Sequence, residues 1–333
     1  MQKTITFQNP VYIQETASYA GPKEGNGFFS KYFDAVSDDP YMGQDSWEKA
    51  ESELIKRTVA LLLHKTQKSA SEIDHILGGD LLNQCISSNY GLLPFNIPFL
   101  GLYGACSTFA ESLILSAVML NGGSSETAIS VTSSHFCSSE RQFRFPLEYG
   151  GQRPPTAQWT VTGAGAALLG TKGTFKITHA TVGKIVDYGI TDVNNMGVAM
   201  APAAIDTLTR HFTDRNIMPD YFDLIVTGDL GHVGMQIVKD QLKQNNMDLA
   251  GRYMDCGDSI FDRKRQDMHA GGSGCGCCAS VFCSYLWHLL NSQKINRLLL
   301  CATGALMSPT SCFQGETIPG IAHAVAIERE EQS

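Results

Sequence analysis

Apolar and polar positions along the chain fall into blocks that read as strand, helix and strand, and the order occurs twice. Ile97–Tyr103 reads as a buried strand, and Gly104-Ala-Cys-Ser-Thr108 turns it into an apolar helix ending near Asn121. A second buried strand follows at Ala128–Val131, and the run Val161–Leu169 predicts another. Ser46–Lys65 has helical periodicity, with Asp45 and Glu48 placed as a capping box at its start. A second helix is predicted from about Val198 to Asp214, and Thr174–Val186 reads as a strand.

The blocks repeat in register. Asp74-His-Ile-Leu-Gly-Gly-Asp80-Leu81 matches Asp223-Leu-Ile-Val-Thr-Gly-Asp229-Leu230 at an offset of 149 residues. Gly104–Val131 then lies over Gly274–Cys301 at an offset of 170, without gaps. Leu120 falls on Leu290 and Asn121 on Asn291. Two correspondences in the same order imply a duplicated α/β unit. The expected division is a first half over residues 1–172, which holds Cys106, and a second over 173–333. Between the shared parts, Phe136–Thr160 reads as an irregular stretch carrying Arg141, Arg144 and Arg153, and loops of that length are often functional.

Composition narrows the class. With 333 residues, 43% hydrophobic and 17% charged, the chain has ample material for a duplicated core. A net charge of −8 without a basic block argues against nucleic acid as a partner. The start of the sequence lacks the charged and apolar pattern of a secretory signal, and no run approaches the ~18 apolar residues of a membrane span. The ten cysteines are therefore expected to be reduced, most of them as small buried residues. Cys275-Gly-Cys-Cys278 has a Cys-x-x-Cys spacing but no second pair to complete a metal site, and no metal is expected. Gly163-Ala-Gly-Ala-Ala-Leu168 has leucine where a dinucleotide fingerprint needs its third glycine, so it reads as a strand.

Cys106 is the centre of the expected site. At a helix N-terminus, unpaired N–H groups and the macrodipole favour a thiolate and can receive a carboxylate. His135 ends the strand after the Cys106 helix, where ligands bind in α/β sheets. Arg141 and Arg144 follow it and offer bidentate pairing to a carboxylate, with Arg141, nearest in sequence, the first choice. Asp80 ends its strand close to Cys106 and is expected to cap the next helix or line the pocket.

The strand, the Gly104–Thr108 turn, the apolar helix and the duplication resemble the thiolase superfamily of thiolases and ketoacyl synthases. Further strings resemble, more narrowly, the stage V sporulation protein AD family. They include Gly79-Asp-Leu-Leu-Asn-Gln84, Thr132-Ser-Ser-His135, Glu140-Arg-Gln-Phe-Arg144, Glu148-Tyr-Gly-Gly151, Ala270-Gly-Gly-Ser-Gly-Cys275 and Ala302-Thr-Gly-Ala-Leu306. The resemblance covers nearly the whole chain. It implies a thiolase-like fold of duplicated αβαβα halves and binding of dipicolinic acid, or its calcium chelate, beside Cys106. It also implies support of that compound's passage into the developing spore and its release at germination. The implied partners are other, membrane-embedded proteins of the stage V sporulation A system. The implied place is cytoplasmic, peripheral to the spore inner membrane, with a homodimer a further possibility. No resident cofactor is expected.

The competing reading is an acyltransferase that loads Cys106 from a coenzyme A thioester, with His232 and His269 as its second-half catalytic groups. The strings Asn-Glu-Ala-Phe and Gly-His-Pro, which accompany such groups in thiolase relatives, are absent.

Overall fold

The computed structural model describes residues 3–143, 150–249 and 251–330. The first half begins with β1 (Thr4–Thr6), β2 (Tyr12–Ala20), β3 (Ala35–Val36) and α1 (Trp47–Thr66). It continues with β4 (His75–Gly79), α2 (Ile86–Leu92), β5 (Phe99–Gly101), α3 (Thr108–Asn121) and β6 (Thr127–Ser134). α4 (Phe136–Phe143), β7 (Trp159–Thr160) and β8 (Gly163–Gly170) complete it. The second half opens with β9 (Phe175–Thr181), α5 (Met196–Arg215), β10 (Leu224–Thr227) and α6 (Gly231–Gln244). There follow β11 (Tyr253–Asp255), α7 (Cys256–Ile260), β12 (Gly272–Ser273) and α8 (Cys275–Val281). A π-helical segment, Phe282–Leu286, leads into α9 (Trp287–Asn291), and β13 (Arg297–Ala305), α10 (Pro309–Phe313) and β14 (Gly320–Arg329) close the chain.

Twelve strands form one sheet whose main path runs β11-β10-β13-β14-β9-β2-β8-β6-β4-β5. In each half three strands are parallel, β5-β4-β6 and β11-β10-β13, and two antiparallel strands follow. The main path crosses between the halves at β2 and β9, through the pairs Tyr12↔Lys176 and Ile13↔Phe175.

Alternation along the strands builds the layers. Leu298 and Leu300 of β13 point to a central core with Phe109, Leu113 and Leu120 of α3 and with Ala279 and Phe282 of the α8–α9 run. Leu299 and Cys301 point the other way, under Ala204, Leu208 and Phe212 of α5. In the first half Ile76, Ile129 and Val131 pack under Ile55, Val59 and Leu62 of α1. Helix, sheet, helix, sheet and helix therefore stack in five layers, the duplicated αβαβα arrangement. The two halves also keep register in detail: α1 and α5 are both 20 residues long, and both end on a left-handed C-cap, Gln67 and Asn216.

Several expectations need adjustment. Ser46, not Asp45, caps α1, its Oγ accepting from Lys49 N. The expected buried strand at Ile97–Tyr103 is the short edge strand β5, with Leu100 46% and Tyr103 48% exposed. An edge strand lacks a neighbour to cover it, and a run of apolar letters does not reveal that position. The stretch expected to be irregular begins as α4. Cys275, Cys277 and Cys278 are fully buried at the start of α8, and none of the ten cysteines forms a disulfide.

One buried acid makes stability depend on pH. Glu24 is 1% exposed; its Oε1 accepts from Thr162 N at 2.9 Å, while Oε2 has no hydrogen-bond partner among the described residues. Burial pushes the carboxyl up from 4.5 to about 7. Between those values the folded chain holds a proton that the unfolded chain has released. This stabilising contribution is complete below the unfolded value and is lost as pH rises through 7. The span is worth about 3 kcal/mol. Urea midpoints at pH 5 and pH 8 should therefore differ less in Glu24→Gln than in the native chain, and equal differences would refute the assignment.

Candidate functional site

The chain reverses tightly between β5 and α3 to present Cys106. Ala105 takes φ +50°, in the left-handed region, and Gly104 O accepts from Ser107 Oγ at 2.7 Å. Gly304, near the end of β13, packs against this turn, where a Cβ would lie 2.5 Å from Gly104 O. The duplicated second half thus supports the turn from below.

The thiol lies in the wall of a cavity of about 60 Å³. Leu81, Phe143, Val193, Met196 and Met307 give it apolar sides, and Ser139, Glu140, Thr160 and Ser273 give it polar ones. Cys106 Sγ is 3.9 Å from Ser273 Oγ, which donates to Asp229 Oδ2 at 3.0 Å. Asp229 is fully buried and also accepts from Gly274 N at 2.9 Å and Thr303 Oγ1 at 2.8 Å. It is thus the tie between the ends of β10, β12 and β13.

This setting reverses the expected ionisation of Cys106. Burial first, and then the neighbouring Asp229 carboxylate, push the thiol well above its ordinary range. A helix N-terminus supplies ~0.3–1 kcal/mol, less than one unit of pKa. Asp229 is 123 residues away in sequence, so the thiolate expectation had no access to the dominant influence.

The other expected residues are dispersed. His135 is 1% exposed; its Nε2 lies 2.8 Å from Pro40 O and its Nδ1 accepts from Cys137 N at 3.2 Å. Both ring nitrogens are engaged with backbone and burial lowers the pKa, so the residue secures a turn and does not line the cavity. Arg141 pairs with Glu48 on an outer groove with Asn83 and Gln84. On α4 it points opposite to the cavity, a direction that nearness in sequence to His135 does not convey. Arg144 lies outside the described residues. Arg153 stacks 4.9 Å over the Trp159 ring, its guanidinium 4.0 Å from Glu140.

Asp80 is fully buried and accepts from Leu82 N at 2.9 Å, Ser88 N at 2.7 Å and Ser88 Oγ at 2.6 Å. It organises the loop and α2, while its neighbour Leu81 reaches the cavity. His232 and His269 do not line the cavity of Cys106. His232 Nδ1 lies 3.1 Å from Asp258 Oδ1, and His269 borders a separate open cleft with Phe28, Asp258 and Tyr285. His232, in the first turn of α6, and His269, in the loop before β12, both lie beside α7.

Ser139, Glu140, Thr160, Ser273 and Met196 are cavity residues that the sequence reading did not select. Glu140 and Ser273 stand inside two of the strings that carried the resemblance; nothing in the local pattern marks Ser139. No helix of the described residues is long and apolar enough to cross a membrane, and no cluster of potential metal ligands occurs among them.

Comparison with known proteins places this geometry. Over nearly its full length the chain resembles three solved thiolase-type structures at 11–13% identity, a likeness of fold. Cerulenin-bound OleA from Xanthomonas campestri matches 97% of this chain and 98% of its own, with a TM-score of 0.64. The Acat5 thiolase from Ascaris suum in complex with coenzyme A matches 97% and 100%, with a TM-score of 0.60. The 3-oxoacyl-[acyl-carrier-protein] synthase III from Aquifex aeolicus VF5 matches 96% and 99%, at 0.55. The stage V sporulation protein AD of Bacillus subtilis (strain 168) is 46% identical over 329 residues, 98% of this chain and 97% of that protein. The family model described as Stage V sporulation protein AD (SpoVAD) matches residues 1–328. This chain therefore belongs to the stage V sporulation protein AD family, sporulation proteins on a thiolase-like fold.

Proposed function

We propose that this sporulation protein binds dipicolinic acid, pyridine-2,6-dicarboxylate, free or as its calcium chelate, in the Cys106 cavity. In this reading it supports the compound's passage into the developing spore and its release at germination. The observation that carries the non-enzymatic part is the pairing of the thiol. Cys106 faces Ser273 and the buried Asp229 carboxylate, with no imidazole on the described cavity wall. A condensing enzyme needs its thiol activated, and a neighbouring carboxylate holds it protonated. The small space, with apolar sides and a few hydroxyls, suits a one-ring ligand better than the long arm of a coenzyme A thioester.

Passage across a membrane needs a spanning element. Other, membrane-embedded proteins of the stage V sporulation A system supply it in this reading, with the present chain bound peripherally on the cytoplasmic side of the spore inner membrane. A second copy would pair along the open edge of β5, where Leu100 is about half exposed.

Titration calorimetry with dipicolinate, with and without calcium, tests the proposal. Saturable heat is expected below millimolar ligand in at least one of the two conditions. No heat at millimolar concentration in either would overturn it.

A further inference from the structure

Three consecutive residues of α4 send their side chains in different directions. Ser138 Oγ donates to the buried Glu51 Oε2 at 2.6 Å, and Glu140 Oε1 accepts from Thr160 Oγ1 at 3.1 Å. Ser139, between them, is fully buried and stands in the cavity wall. Its Oγ has no hydrogen-bond partner among the described residues.

On that wall the hydroxyl hydrogens of Thr160 and Ser273 are committed, and Tyr103, also on the wall, is half exposed. Thr160 gives its hydroxyl hydrogen to Glu140, and Ser273 gives its own to Asp229. The Cys106 thiol lies 3.9 Å from that Ser273 hydroxyl, with the Asp229 carboxylate behind it. Buried hydroxyls in native proteins are almost always bonded, because leaving one unmade costs free energy. An unmade donor on the wall of a cavity therefore marks the point where a ligand acceptor belongs. Bonds from a hydroxyl to an ionised acceptor are stronger than bonds to a neutral one.

We propose that Ser139 is the residue that recognises a carboxylate of the aromatic ligand, its hydroxyl donating to a carboxylate oxygen while Leu81 and Met307 hold the ring. This rests on the dipicolinate reading of the cavity and adds the residue that selects the acid group. Arg141 and His135 take no part in it, since both are engaged elsewhere.

Full-length Ser139→Ala, titrated calorimetrically with dipicolinate beside the native chain, tests the proposal, together with thermal melts of both without ligand. Affinity should fall about 10- to 100-fold. The melting temperature of the free protein should stay level or rise, because the variant removes a hydroxyl that the fold leaves unused. Affinity within twofold of native overturns the assignment while leaving the binding reading standing. A clearly lowered melting temperature also overturns it, since the hydroxyl would then serve the fold. If the native chain itself gives no heat, the binding reading fails and this assignment with it.

Discussion

Gly276→Cys is expected to prevent stable folding, although it would only give the second copy of the repeat the residue that the first copy has. The 170-residue offset places Cys106 on Gly276. A Cβ at 276 would lie 2.2 Å from Gly163 O and 2.6 Å from both Ser134 N and Ser134 Oγ. Two of these are backbone atoms of β6 and β8, locked in the sheet, so α8 would have to lift off both strands. The cost should exceed about 4 kcal/mol, a large share of the ~5–15 kcal/mol by which domains are stable. Gly276→Ala should fail equally, because the Cβ and not the thiol makes the clash. Urea unfolding is the measurement, and a native midpoint in the alanine variant would refute the argument. The two halves therefore differ for a steric reason: close approach of α8 to the sheet leaves no room for a second thiol.

Asp229→Ala should be the most damaging single change near the cavity. Three donors converge on this carboxylate, and the backbone N–H of Gly274 cannot turn to another acceptor. Unmade buried hydrogen bonds cost ~1–3 kcal/mol each, so a loss of about 3 kcal/mol or more is expected by urea unfolding. Asp229→Asn separates structure from electrostatics. It keeps the volume and a carbonyl acceptor, costs less, and removes the negative charge beside Cys106. The thiol should then titrate at lower pH, because one of the influences raising it is gone. Iodoacetamide labelling of Cys106, followed by peptide mass spectrometry across pH, reads this directly. An unmoved labelling profile in Asp229→Asn would show that the carboxylate does not govern the thiol.

Much of the fold was legible because repetition is a property of order along the chain. Asp74 and Asp223 lie 149 residues apart, and α1 and α5 begin at Trp47 and Met196 with that same separation. Cys106 was legible as a cavity residue because a glycine-rich turn between strand and helix fixes where its Cβ sits. Its partners were not. Whether His135 turns toward a ligand or toward Pro40 depends on a loop some 95 residues earlier, and the sequence gives no direction for a ring. Ser139 and Arg141, two positions apart on one helix, face opposite environments. Helical spacing separates them, but only once the helix is known to exist, and the stretch had read as irregular. The edge position of β5 was hidden for a similar reason, since covering depends on what lies beside a strand.

The main path of the sheet joins the halves through only two residue pairs, Tyr12↔Lys176 and Ile13↔Phe175. The cavity draws Leu81 and Ser139 from one half and Ser273 and Met307 from the other. A molecule lodged there acts as a mortar between two masonry blocks, and its binding energy adds to the cohesion of the joint. The converse follows by reciprocity: whatever slides the blocks along their seam changes grip on the guest. A force applied to either block would thereby change the hold on a guest without ever touching the chamber.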